Sequence, residues 1–334
     1  MFENYKYNYI YFNASYSDKF HTDYDDYNAI CLRDLEKVAS VQIVPLIMYR
    51  KPWIFKFLYY FHEKLSNKLH FPFVEMWFPF FFKNKFHHSK KPLCFIVATS
   101  QIPTKYVEWL RKKYPNAKFV RIHRDLLKVT CRNGYTMDFL RKNFDIQMSF
   151  DKKEAELNGF IYFDEIESIV DVSDAAQYPS CDVFFAGKAK DRLPKILQIL
   201  NILNMAGLNC YFYLTEVPKE QRVNIDGIVY ADKYMPFKEM LYRTVRANCL
   251  LEINQGGAIG YTSRFIEAVL YNKKIMSDNP FVKESKYYNP KFVYFVSSAD
   301  TIDTSFVRST EQVDFNYTGD FSPINILSIL ENNL

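Results

Sequence analysis

No stretch of this chain reaches the ~18 uncharged apolar residues that a membrane-spanning helix needs, which argues against an integral membrane protein. The N-terminus also lacks the basic segment, apolar run and small-residue cleavage site of a signal peptide. The six cysteines, at 31, 94, 131, 181, 210 and 249, include no CxxC pair, so a cysteine metal knuckle has no local support. Cys94, Cys181, Cys210 and Cys249 lie in apolar runs and are expected to be small buried hydrophobes in a reducing cytoplasm. Neither sign of charge dominates: 43 Lys and Arg against 38 Asp and Glu leave +5. That balance fits an anionic ligand or membrane surface but not the clustered basic face of a nucleic-acid binder, so no nucleic-acid partner is expected. Glycine is scarce, at nine in 334 residues, which makes any cluster of it conspicuous.

Aromatic residues are plentiful, with 31 Phe and 26 Tyr. The plain reading is a compositional bias that fills the core with rings. Aromatic surfaces for sugar or lipid are expected only locally. The length suggests two domains.

The pattern along the chain alternates strand and helix. Strands are expected at 6–13, 40–48, 92–99, 117–123, 144–150 and 160–163, with helices at 27–39, 104–114, 136–143 and 151–159. Composition turns acidic and turn-forming over 164–180, the expected connection. A second series follows: strands at 181–187, 208–214, 227–231, 248–254, 273–276 and 291–296, and helices at 191–206, 236–247, 262–271 and 324–334. Gly207 is the expected C-cap of the 191–206 helix. The expected fold is α/β, with two Rossmann-like domains facing across a cleft, 1–165 on the acceptor side and 180–334 binding nucleotide sugar.

In open parallel sheets, ligands bind where strands run into helices. Two loops of the second half qualify. Gly187 and the cations Lys188, Lys190 and Arg192 stand before a helix, where free N–H groups and the dipole favour a diphosphate. The second loop, 255–260, holds three of the nine glycines. Thr262 or Ser263 can cap the helix that follows. Arg264 is a cation in a first turn, unfavourable there without a nearby anion. Glu267 can accept two ribose hydroxyls, or pair with Arg264 at i, i+3.

These two segments, CDVFFAGKAKDRL at 181–193 and CLLEINQGGAIGYTSRFIEAVLYNKKIM at 249–276, resemble the nucleotide-sugar half of GT-B glycosyltransferases. The likeness is to bacterial enzymes of lipopolysaccharide and capsule biosynthesis in particular. It covers about a third of the chain and extends to the first half only as an architecture. The resemblance implies that Lys188, Lys190 or Arg192 meets the diphosphate, that Gly260, Tyr261, Thr262 and Arg264 line the donor phosphates, and that Glu267 binds the ribose. It implies a nucleotide-diphosphate sugar as substrate, a glycan or lipid-linked oligosaccharide as acceptor, and no cofactor or bound metal. Retaining members often show Glu-x7-Glu, but that spacing before Glu267 falls on Ile259, and Glu252 is too early. The stereochemical course therefore stays open. An inverting route needs a general base from the first half, for which His21, Asp23, Asp25, Asp26 and His123 are candidates. A degenerate binding subunit of a polysaccharide-assembly complex and a nucleotide-sugar epimerase are the alternatives.

The segment 52–82 is dense in rings. Trp53, Phe57, Tyr60, Phe61, Lys64 and Leu65 share a helical face, and Lys51, Lys56, Lys64 and Lys68 lie nearby. Two readings follow: a peripheral contact with the inner face of the membrane, or burial in the first domain. Burial is the expectation for most of these side chains, with part of the face exposed.

Overall fold

The computed structural model describes residues 5–13, 27, 30–45, 51–69, 72–83, 85–86, 90–131, 134–254, 259–299 and 302–334. The chain divides into two units, 1–163 with 323–334, and 164–322.

The first unit is built on a six-stranded sheet of β1 (Asn8–Asn13), β2 (Val41–Pro45), β3 (Leu93–Val97), β4 (Lys118–His123), β5 (Ile146–Ser149) and β6 (Ile161–Tyr162). The strands run in the order β2-β1-β3-β4-β5-β6, and every pairing is parallel. The central strands read as near-continuous apolar runs because helices cover both faces. All five residues of β3, LCFIV, are buried. The rings do the packing: Phe12 meets Phe86, Phe95 and Tyr106, with centroids 6.1 Å away in each case. The long helix α1 (Trp53–Leu69) follows β2. Helices α2 (Thr104–Lys113), α3 (Met137–Asn143) and α4 (Lys152–Asn158) follow β3, β4 and β5 in turn. Side chains cap two of them: Thr136 accepts from Phe139 N, and Asp151 accepts from Glu154 N. Within the helix expected over 27–39, the described Tyr27, Ile30 and Cys31 are helical, and a 3-10 turn at Arg33–Lys37 follows and buries Leu35.

The second unit carries β7 (Cys181–Lys188), β8 (Cys210–Thr215), β9 (Ile228–Ala231), β10 (Ala247–Glu252), β11 (Lys274–Ser277) and β12 (Val293–Phe295). Their order is β12-β11-β10-β7-β8-β9, again wholly parallel. This is the doubly wound order that reverses direction between β7 and β10. The crossover helices include α5 (Leu193–Met205), α6 (Phe237–Arg246) and α7 (Ser263–Leu270). Gly207 closes α5 as expected, with its N–H on Asn204 O and Leu208 N on Leu203 O. At Gly227, φ is +82° and a Cβ would lie 2.6 Å from Cys210 O, so only glycine fits the turn into β9.

Three expectations are corrected. The segment 164–180 is not a free connection: it belongs to the second unit, where Glu167 N bonds Phe321 O and Arg246 Nε bonds Tyr178 O. The last helix, α8 (Ile324–Asn333), belongs to the first unit and not to a 180–334 domain. Its Glu331 carboxylate accepts from Lys6 N at 2.8 Å and from the Tyr9 hydroxyl at 2.7 Å. Among the cysteines, Cys94, Cys210 and Cys249 are buried, but Cys181 is half-buried.

Candidate functional site

The reversal between β7 and β10 leaves a crevice at their carboxyl ends, the place where open parallel sheets bind ligands. Beside it, both ends of the glycine-rich loop are pinned. Asn254 N donates to Asp278 Oδ1 at 2.6 Å at the start, and Asn279 Nδ2 donates to Gly260 O at 2.9 Å at the end. Residues 255–258 between those posts lie outside the described residues. The loop then enters α7, where Thr262 is the N-cap and accepts from Phe265 N. The same hydroxyl donates to Glu252, the last residue of β10, whose other oxygen accepts from Ser277 Oγ. Glu252 is buried, and burial pushes its carboxyl above the usual range, against the pull of the two hydroxyls.

Opposite, Gly187 and Lys188 end β7. Lys188 Nζ lies 2.8 Å from Glu216 Oε1 and 5.1 Å from the centroid of the Tyr234 ring. The bonds from Glu216 and Tyr234 raise the Lys188 ammonium, and Lys188 in turn holds Glu216 low. Lys190 and Glu216 both have left-handed backbone, at φ +48° and +59°. Two non-glycine residues in that region at neighbouring strand ends are conformationally costly, a pattern that clusters at binding sites.

The structure gathers the donor-side candidates around this crevice, but several face inward. Arg192 donates to Lys188 O and Ile253 O, tying the ends of β7 and β10 together. Tyr261 packs between Phe265 and Phe281, with centroids 5.1 and 4.9 Å away. Arg264 Nη1 reaches Glu267 Oε2 at 2.5 Å and Thr244 Oγ1 at 3.1 Å. Its Nη2 reaches Ala186 O at 3.5 Å. Glu267 is 1% exposed, and its Oε1 has no hydrogen-bond partner among the described residues. Burial pushes that carboxyl up, opposed chiefly by Arg264. Lys188 and Lys190 stand at the carboxyl end of β7, the strand paired with β10, whose chain leads on into α7.

Of the base candidates, His21, Asp23, Asp25 and Asp26 lie outside the described residues, in the segment that leaves β1. His123, at the end of β4, is buried and stacked on Phe160 at 5.1 Å, with Nε2 3.1 Å from Gln147 Oε1. Burial and the nearby Arg121 push its imidazole down to about 3, so it is held neutral.

The sequence pattern assigns no role to Asp278 or Asn279 and sets Glu252 aside as too early for the Glu-x7-Glu spacing. Their signal was a carboxylate inside the apolar run of β10 and an Asp-Asn-Pro turn directly after β11.

Two Rossmann-like units, each on a six-stranded parallel sheet, give the chain the GT-B fold. An α-glucosyltransferase solved with UDP and a 13-mer DNA containing an HMU base superposes with a TM-score of 0.55 at 10% identity, over 97% of this chain and 98% of that one. An α-glucosyltransferase solved with UDP-glucose and abasic-site DNA gives 0.51 at 10% identity, over 97% and 93%. A glycosyltransferase from Rickettsia africae gives 0.50 at 10% identity, over 98% of both chains. No family model and no curated protein sequence matches the chain. At this identity the likeness is one of fold.

Proposed function

We propose that the protein is a glycosyltransferase that moves a sugar from a nucleoside-diphosphate donor to a glycan or lipid-linked glycan acceptor in surface polysaccharide assembly. Fold alone does not carry an activity. The observation that does most for this reading is the fixing of Asn254 by Asp278 and of Gly260 by Asn279, on either side of residues 255–258 and just before α7, with Lys188 ending the neighbouring strand β7. Peptide N–H groups there, with Lys188 and Lys190, suit a diphosphate and take the part a metal ion plays elsewhere. UDP is the first nucleotide to try, because two of the similar structures hold UDP or UDP-glucose. The site of action would be the cytoplasmic face, where activated sugars are supplied.

The test is thermal unfolding with UDP, GDP, CMP, dTDP and ADP, since a ligand that binds only the folded chain raises its stability. A rise with one of them supports the reading. A well-folded protein that responds to none would sink it.

One observation favours a second reading, a sugar-nucleotide-binding subunit without transferase activity. Glu267 is sealed by Arg264, and His123 is buried. Nucleotide binding without any hydrolysis of a UDP-sugar would favour that subunit; slow hydrolysis would favour the enzyme.

A further inference from the structure

Helix α1 is inside out. The side of the helix that meets the body of the first unit carries Tyr59, His62, Glu63 and Ser66, at i, i+3, i+4 and i+7. Tyr59 is fully buried, and its hydroxyl donates to Glu63 at 3.4 Å. His62 Nδ1 accepts from Trp77 Nε1 at 3.0 Å, and Ser66 Oγ accepts from Lys105 Nζ at 2.9 Å. The opposite face carries Trp53, Phe57, Tyr60 and Phe61, which are 72%, 58%, 50% and 54% exposed. A surface helix normally buries its apolar stripe. This one turns Tyr59 and three polar side chains to the protein and four rings to the outside.

Exposed rings also lie off that face, at the start of α1 and beyond its end. Phe55 and Phe80 are both exposed, with rings 5.2 Å apart, and Lys51 Nζ lies 4.4 Å from the Phe80 centroid. Phe73 and Met76 are exposed on the turn between them. An apolar patch of this extent marks an interaction surface.

Charge identifies the occupant. Residues 51–91 hold eight lysines and two glutamates, a surplus of six, against +5 for the whole chain. The positive charge of this protein is therefore concentrated on the segment that carries the exposed rings, and the remainder is slightly acidic. Rings of Trp, Tyr and Phe flanked by lysines suit the headgroup region of an anionic bilayer. A second copy would bring two lysine-rich stripes face to face, which like charges oppose.

We infer that α1 lies in the surface of an anionic membrane, with Trp53, Phe57 and Phe61 among the acyl chains and Lys64 and Lys68 at the phosphates. This rests on the first unit alone and holds whether or not the chain transfers sugar.

The test uses the full chain and sedimentation with vesicles of phosphatidylcholine, with and without phosphatidylglycerol. The chain should sediment with the anionic vesicles, and Trp fluorescence should shift to the blue, a shift lost in Trp53→Phe. Trp53→Ser/Phe57→Ser/Phe61→Ser should melt like the parent and bind about tenfold more weakly or worse. Lys64→Glu/Lys68→Glu should lose the preference for anionic lipid. Failure of the parent to bind anionic vesicles, or equal binding by the triple serine variant, overturns the inference. So does a lipid-free dimer that the triple variant dissolves, which would assign the face to a second copy. Nucleotide-induced thermal shifts read the other unit and are independent of all these outcomes.

Discussion

Near the start of α7, Arg264 Nη1 stands 2.5 Å from Glu267 Oε2, one turn on, and the pair is closed off from solvent, with side chains 12% and 1% exposed. The arginine also holds Thr244 and the carbonyl of Ala186, so it joins α7 to α6 and to β7. Arg264→Ala strands a buried carboxylate and should cost about 3–5 kcal/mol in urea unfolding. Adding Glu267→Gln should restore part of that loss, because the uncompensated charge is gone. Equal stability of the single and double variants would show that the two residues are not coupled.

His123 predicts a pH dependence. Its folded value is depressed from 6.5 to about 3, so the unfolded chain binds the proton more readily between those limits. Its contribution to stability is complete above about 6.5 and declines as pH falls towards about 3, by up to about 1.4 kcal/mol per pH unit. His123→Phe, which keeps a ring against Phe160, should flatten that slope in urea titrations run at several pH values.

Glu252 works in the opposite sense. Burial raises its carboxyl above the ordinary 4.5, so its folded state resists ionisation, and stability declines as pH rises from about that value. Glu252→Gln keeps partners for Thr262 and Ser277 without the charge. The variant should match the parent in acid and exceed it at neutral pH, read from paired denaturation curves.

Lys188 is partly exposed, and its ion pair with Glu216 contributes little to stability. Lys188→Ala should therefore melt within about 0.5 kcal/mol of the parent. If the diphosphate sits at this rim, the same change should weaken UDP binding about tenfold by calorimetry, with a reduced dependence on salt. Undiminished affinity would place the phosphates elsewhere.

Two glycines with left-handed backbone should respond differently to alanine. Gly159, at φ +68°, has nothing within 4 Å of an added Cβ, and its replacement should cost about 1 kcal/mol. Gly227, at φ +82°, would push a Cβ against Cys210 O and should cost about 3 kcal/mol or more. Comparing the two melting curves separates backbone strain from steric overlap.

Strands and crossover helices were legible because period and burial agree in a parallel sheet. LCFIV and CDVFF announce buried strands, and Thr136 and Asp151 announce helix starts. Clustered glycines and cations single out the two loops proposed for the donor. Side-chain direction was not. Whether Arg264 points to a ligand or to Glu267 depends on Thr244 and Met240, about twenty residues earlier on α6. Spacing shows that Trp53, Phe57, Tyr60 and Phe61 share a face of α1 but not which way it turns. The usual rule sends an apolar face inward, and here Tyr59, His62 and Ser66 take that place. Nor does chain order show that residues 323–334 complete the unit begun by residues 1–163.

That last arrangement sets a timetable for synthesis. Residues 1–163 leave the ribosome before residues 164–322, yet Lys6 and Tyr9 wait for Glu331, which is made after the whole of the second unit. The second unit, 164–322, is contiguous and complete before α8 exists. Of these two units, the one whose synthesis begins earlier is therefore the one completed later.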